Sequence, residues 1–166
     1  MGAVGEEGRP RKLTIIAWSG DMDKVYPVLI LATVAAASGW EVVVFVTFWG
    51  LFAFKRNDRW ITGKDWMTKM LSLMFRGGSE HLGLTRLNMA GMGPWMMKKV
   101  FAKNQIPPLR ELIETAVEMG VKIMPCQMTM DALGIKREDL IDGLGESAGA
   151  AAALEEAATS DVTLFI

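Results

Sequence analysis

Between Lys24 and Lys55 the chain carries a single charged side chain, Glu41, in thirty residues. A stretch this apolar either crosses a membrane or is buried inside a core. A spanning helix needs roughly 20 uninterrupted apolar residues, and this run is interrupted. Pro27 sits near one end, and Ser38-Gly39 in the middle reads as a helix stop. After Glu41 the texture turns β-branched and aromatic, Val42-Val43-Val44-Phe45-Val46-Thr47, which suits a strand. The pattern predicts a buried helix to about Ala37 and then a strand over Glu41–Thr47. Continuous apolarity rather than alternation marks that strand as covered on both faces of a parallel sheet.

The same rhythm recurs on either side. Leu13–Trp18 is a short apolar run ending in Ser19-Gly20-Asp21, a first strand entering a loop, with Asp21 or Asp23 placed to cap the following helix. Pro107-Pro108 open a helix whose Leu109, Leu112, Ile113, Ala116 and Val117 share one face, and Gly120 closes it. Strand three is expected at Val121–Pro125, then Cys126 and a short helix to about Leu133 with Gly134 as its stop. A brief strand near Leu140–Asp142, a helix from about Ser147 to Thr159 and a last strand at Asp161–Ile166 complete the pattern. Alternation of this kind implies a three-layer α/β/α, Rossmann-like domain with a mostly parallel sheet of about five strands.

One domain, 1–166, accommodates the length. Residues 1–12 carry several charges and no apolar run, so they read as a flexible tail and not as a secretory signal. Residues 51–105 break the rhythm and hold seven of the 13 methionines. They read as a helical, Met-rich insertion, with helices expected at Asp65–Phe75 and Pro94–Lys103. In the second of these, Met96, Met97, Val100 and Phe101 oppose Lys98, Lys99 and Lys103. Together with Phe48–Phe54 this makes a candidate interface for a homo-oligomer or for peripheral contact with a membrane.

Several classes of function fall away. The 18 basic and 19 acidic side chains nearly cancel, which argues against a nucleic-acid binder driven by counterion release. One cysteine excludes a disulfide framework and any cysteine-built zinc site, and it fits a reducing, cytoplasmic setting. No metal-ligand spacing is present, and the methionines suit adaptable packing better than Cu(I). Gly143-Leu144-Gly145-Glu146-Ser147-Ala148 matches a dinucleotide-binding pattern, but the strand that should end in a ribose-holding acid ends at Ile166. A tight turn into a helix is the better reading, and no cofactor is called for. His81 is the only histidine, so no Cys–His pair is assumed.

Cys126 stands where a strand hands over to a helix, the end of a parallel sheet where ligands gather. Backbone N–H groups at Gln127, Met128 and Thr129 would favour its thiolate. The loops after strands one and two, Ser19-Gly20-Asp21 and Thr47 to Gly50 with Trp49, would form the rest of a pocket. Position alone leaves Cys126 open as a core residue, a peroxide-sensing thiol or a working nucleophile.

Two stretches then carry a resemblance: Leu87-Asn88-Met89-Ala90-Gly91-Met92-Gly93-Pro94-Trp95-Met96-Met97 and Pro125-Cys126-Gln127-Met128-Thr129-Met130-Asp131-Ala132-Leu133-Gly134. The sequence resembles the DsrE/DsrF/DsrH-like family, in the branch with a long Met-rich insertion also found fused to coenzyme A-disulfide reductase-type proteins. The resemblance implies an oligomeric, Rossmann-like protein of sulfur trafficking in which Cys126 carries sulfane sulfur as a persulfide. Its partners would be a persulfide donor and a thiol acceptor, either proteins or low-molecular-weight thiols. The competing expectation is a non-enzymatic binding module that works through the insertion.

Overall fold

A computed structural model describes residues 8–59, 61–75, 77–86 and 88–166. Most of the expected tail, Trp60, and Leu87 of the first resembling stretch lie outside the described residues. The elements run β1 (Lys12–Ala17), α1 (Met22–Ala37), β2 (Glu41–Val46), α2 (Trp66–Met74), α3 (Met92–Lys103), α4 (Leu109–Glu118), β3 (Lys122–Pro125), α5 (Gln127–Leu133), α6 (Ala150–Ala158) and β4 (Val162–Phe165). The sheet order is β3-β2-β1-β4, and every pairing in it is parallel.

The apolar run of 25–54 divides as its sequence predicts. α1 ends at Ser38, and Gly39 takes φ +79°, letting the Trp40 N–H return to the Ala35 carbonyl at 3.0 Å. β2 follows, buried from Val42 to Val46. One face of the sheet packs Ile15, Val44 and Ile123 with Leu29 of α1 and Ile113 of α4. The other packs Val43, Phe45, Met124 and Cys126 with Ala153 of α6. Helices therefore lie on both faces, in an α/β fold. Among the described residues, no helix is long and apolar enough to cross a membrane.

Four expectations need correction. Among the described residues the sheet has four strands. Leu140 makes only an isolated antiparallel bridge to Lys55, because the single turn at Arg137–Asp139 and the bend after it leave too little extended chain for a ladder. The helix expected from Ser147 starts at Ala150. Before it the chain lies along β3: Gly145 N–H donates to Ile123 O and Ala148 N–H to Pro125 O, at 2.8 and 2.9 Å. The Gly143–Ala148 tract thus covers a sheet edge instead of turning tightly into a helix. The Asp21 side chain does not cap α1. Its Oδ2 accepts from Ser19 Oγ and Thr85 Oγ1, and the first N–H of α1, at Met22, donates to Gly83 O. Lys12, finally, belongs to β1 and is buried.

Lys12 is buried because Glu156 of α6 receives it. Its Nζ donates to Glu156 Oε2 at 2.6 Å, and Lys122 Nζ donates to Oε1 at 2.7 Å. Burial works against the Lys12 charge, but the Glu156 carboxylate outweighs it and raises the lysine. The two lysines in turn hold Glu156 below the usual carboxylate range. The glutamate's contribution is therefore full above its unfolded pKa near 4.5 and is lost as pH falls through the lower folded value. The lysine's contribution is full below its unfolded pKa near 10.5 and is lost as pH rises through the higher folded value. Glu156→Gln should lower unfolding free energy at neutral pH by about 1–3 kcal/mol. That deficit should shrink in strong acid. Urea midpoints at the two pH values check it, and a deficit that ignores pH would show that packing, not charge, holds α6.

Candidate functional site

Cys126 caps the start of α5 beyond the carboxyl end of β3, where its backbone N–H still continues the ladder to Val46 O at 2.9 Å. The side chain points to the α6 face and is 2% exposed. Burial alone would raise its pKa. Against that, the Thr129 and Thr47 hydroxyls and the N–H groups of Thr129 and Met128 stand around the sulfur and draw the thiol below the ordinary cysteine value.

Thr129 is fixed for this task. Its Oγ1 accepts from the Phe48 N–H at 3.1 Å and lies 3.2 Å from Thr47 Oγ1. With that backbone donor already received, the hydroxyl proton of Thr129 is available to the sulfur. The chain turn at Thr47-Phe48 and the first turn of α5 are thereby clasped beside the Cys126 sulfur. Thr129→Val keeps the shape and removes the donor. It should slow thiol alkylation at neutral pH by about tenfold and move the pH profile to the alkaline side. Thr129→Ser should restore both. A valine profile superimposed on the wild type would remove Thr129 from the thiolate's support.

The other expected site residues separate into two groups. Thr47, Met128 and Thr129 surround the sulfur. Gln127 is engaged elsewhere: its Oε1 accepts from Ser147 Oγ and its Nε2 donates to Asp131 Oδ1, tying α5 to the strip that covers β3. Ser19, Gly20, Asp21 and Trp49 line a different feature, a cleft of about 720 Å³ between the β1 loop and the insertion. Gly50 is buried behind it, with its N–H on Trp18 O at 2.9 Å. Trp18, Phe52, Phe75 and Trp95 build much of the cleft wall, and His81 stands in it. Trp49 and Phe75 stack at 4.6 Å between centroids. The sequence reading missed Phe52, Phe75 and Trp95 as neighbours, because only the folding of the insertion over the sheet end brings them together.

Gly50 to Phe54, expected as part of an exposed apolar patch, instead enter the core. Lys55 follows them inside at 1% exposed. Its Nζ donates to Thr62 Oγ1 and Ser72 Oγ at 3.0 and 3.3 Å, and burial lowers its pKa despite Asp139 nearby. The base of the insertion is thus an integral part of the core.

A parallel sheet with helices on both faces, with a single cysteine at the carboxyl end of an edge strand, defines a thiol-bearing, Rossmann-like protein. A family model matches residues 9–165, and the chain belongs to the DsrE/DsrF/DrsH-like family. It is 42% identical over 156 residues to the uncharacterized protein YrkE of Bacillus subtilis, a match covering 94% of this chain and 97% of YrkE. It is 39% identical over 157 residues to the sulfur carrier protein DsrE2 of Allochromatium vinosum, covering 94% and 98% of the two chains. Among solved structures it resembles the ychN protein of E. coli, with a TM-score of 0.59 at 14% identity over 94% of this chain and 99% of that one. It also resembles MTH1491 of Methanobacterium thermoautotrophicum, a protein of unknown function, with a TM-score of 0.55 at 9% identity, covering 93% and 98%. The two structures speak to the fold alone.

Proposed function

We propose that this protein carries sulfane sulfur on Cys126 inside the cell, receiving it from a persulfide donor and passing it to a partner thiol. The observation that carries the reading is the place of Cys126 at the start of α5, beside the clasped hydroxyls of Thr47 and Thr129, a setting that lowers its pKa. The likeness to a sulfur carrier protein over nearly the full length supports it.

The transfer balances without an oxidant. The Cys126 thiolate attacks the outer sulfur of a donor R–S–SH, the donor S–S bond breaks, and a new S–S bond forms on Cys126. The electron pair leaves with the donor's inner sulfur as a thiolate. The bound persulfide then presents its own outer sulfur to an acceptor thiolate, and Cys126 leaves in turn. The same donors that hold the resting thiolate stabilise it as the leaving group of this second step. One cysteine per chain makes the relay intermolecular, with the acceptor on another molecule or another subunit. Because Cys126 is buried, the Thr47-Phe48 turn or the start of α5 has to yield before a donor reaches the sulfur.

Intact mass of the wild-type chain after incubation with a persulfide donor tests the reading. A gain of about one sulfur (roughly 32 Da) that a reductant reverses is expected. No gain, with the thiol shown reachable by alkylation, rules the carrier reading out.

A further inference from the structure

We propose that the face formed by α2 and α3 docks on an anionic lipid surface. Residues 61–105 hold seven Lys and Arg against two acidic residues, Asp65 and Glu80, in a chain whose net charge is −1. The remaining chain is correspondingly acidic, so the positive charge is gathered on the insertion.

The same segment exposes large apolar side chains. Ser72 is the only buried residue of α2, and Trp66, Leu73 and Met74 are 72%, 65% and 68% exposed. Trp95, Met96 and Val100 of α3 are exposed as well. Met74 and Trp95 border one cleft, which puts the two helices on the same side of the molecule. Large apolar side chains exposed in this number mark a binding face.

Several features select lipid as its partner. Lys69 on α2 and Lys98, Lys99 and Lys103 on α3 are exposed among the apolar side chains, and neither helix carries an acidic residue. Lys99 Nζ stands 4.0 Å from the centroid of the Trp95 ring. Short helices that combine lysine with tryptophan, methionine and leucine lie in the headgroup region with the apolar side chains down and the ammonium groups at the phosphates. A second copy seated face to face would set lysine against lysine. At nine and twelve residues the helices rest on a bilayer and do not cross it.

This surface is independent of Cys126 chemistry, and its test has a separate readout. Full-length protein is floated with vesicles of phosphatidylcholine alone and with vesicles that also contain phosphatidylglycerol. Binding to the anionic vesicles only is expected, weakening as salt is raised. Lys98→Ala and Lys99→Ala should each reduce the partition coefficient about fivefold. Leu73→Asp should reduce it further, while sulfur uptake in solution stays at the wild-type level in all three. Failure to float with either vesicle, or equal binding to both, overturns the proposal. So does a dimer in the ultracentrifuge that Leu73→Asp dissolves, which would give the face to a second copy.

Discussion

Cys126→Ser should take up no sulfane sulfur under conditions in which the wild type gains about 32 Da. The effect is all-or-none because the chain has a single cysteine. The variant is informative because it should fold. Serine is slightly smaller, and its hydroxyl enters a site already furnished with the Thr47 and Thr129 hydroxyls and two backbone N–H groups. A polar group buried among such partners costs little, whereas the same hydroxyl in an apolar core would cost about 1–3 kcal/mol. Serine cannot replace the thiolate, since its hydroxyl stays protonated where the cysteine ionises. Far-ultraviolet circular dichroism and the urea midpoint should therefore match the wild type while the mass gain vanishes. Should the serine chain acquire sulfur as readily, the carrier site is elsewhere and the reading of Cys126 fails.

Much of this fold was legible because β1, β2 and β3 are largely buried. That condition writes them as unbroken β-branched runs, and Val42–Val46 cannot be mistaken for an amphipathic strand. Glycine stops such as Ser38-Gly39 separated helix from strand where hydropathy alone suggested a membrane span. The position of Cys126 was legible as well, between a strand and a helix. The Met128 and Thr129 N–H groups follow from that position. Thr47 was expected in the pocket from its loop after the second strand, but its closeness to the sulfur depends on β2 and β3 being neighbours with Val46 beside Pro125. No local pattern announces the order of strands.

The failures have equally physical causes. Leu140–Asp142 offers two apolar residues, but so short a stretch without a partner ladder makes only a bridge. Gly143–Ala148 reads as a turn because of its glycines, while its contribution is to shield the β3 edge through backbone bonds. Gly50 to Phe54 looked like surface because they adjoin the insertion. Apolar content was read correctly there, and the side it faces was not. Lys55 shows the limit most sharply, since a lysine in sequence is read as solvent-facing and the Thr62 and Ser72 hydroxyls, with Asp139 nearby, make its burial tolerable.

The largest effect on stability should come from a pair of glycines that the sequence placed in the pocket. A Cβ added at Gly20 would run into the carbonyl oxygen of Trp49, and one at Gly50 into the carbonyl oxygen of Ala17. The loops leaving β1 and β2 are thus pressed together, backbone on backbone. They are held there by Thr47 N–H on Ala17 O and Gly50 N–H on Trp18 O, each at 2.9 Å. A flexible side chain could swing aside from a new methyl group, but one of these carbonyls ends β1 and the other lies in the turn that leaves β2. Gly20→Ala or Gly50→Ala should therefore cost about 2–4 kcal/mol and lower Tm by roughly 5–15 °C. Gly149→Ala, where a methyl group would meet nothing within 4 Å, should cost less than about 1 kcal/mol. The damage should also reach the thiol. Forcing the β2 loop outward moves Thr47 and the Phe48 N–H, and both fix the hydroxyl of Thr129. Alkylation of the folded Gly50→Ala variant should accordingly need a higher pH than the wild type. Unchanged melting in Gly20→Ala and Gly50→Ala would mean that the two loops are not packed as described, and the link from their spacing to the thiolate would go with them.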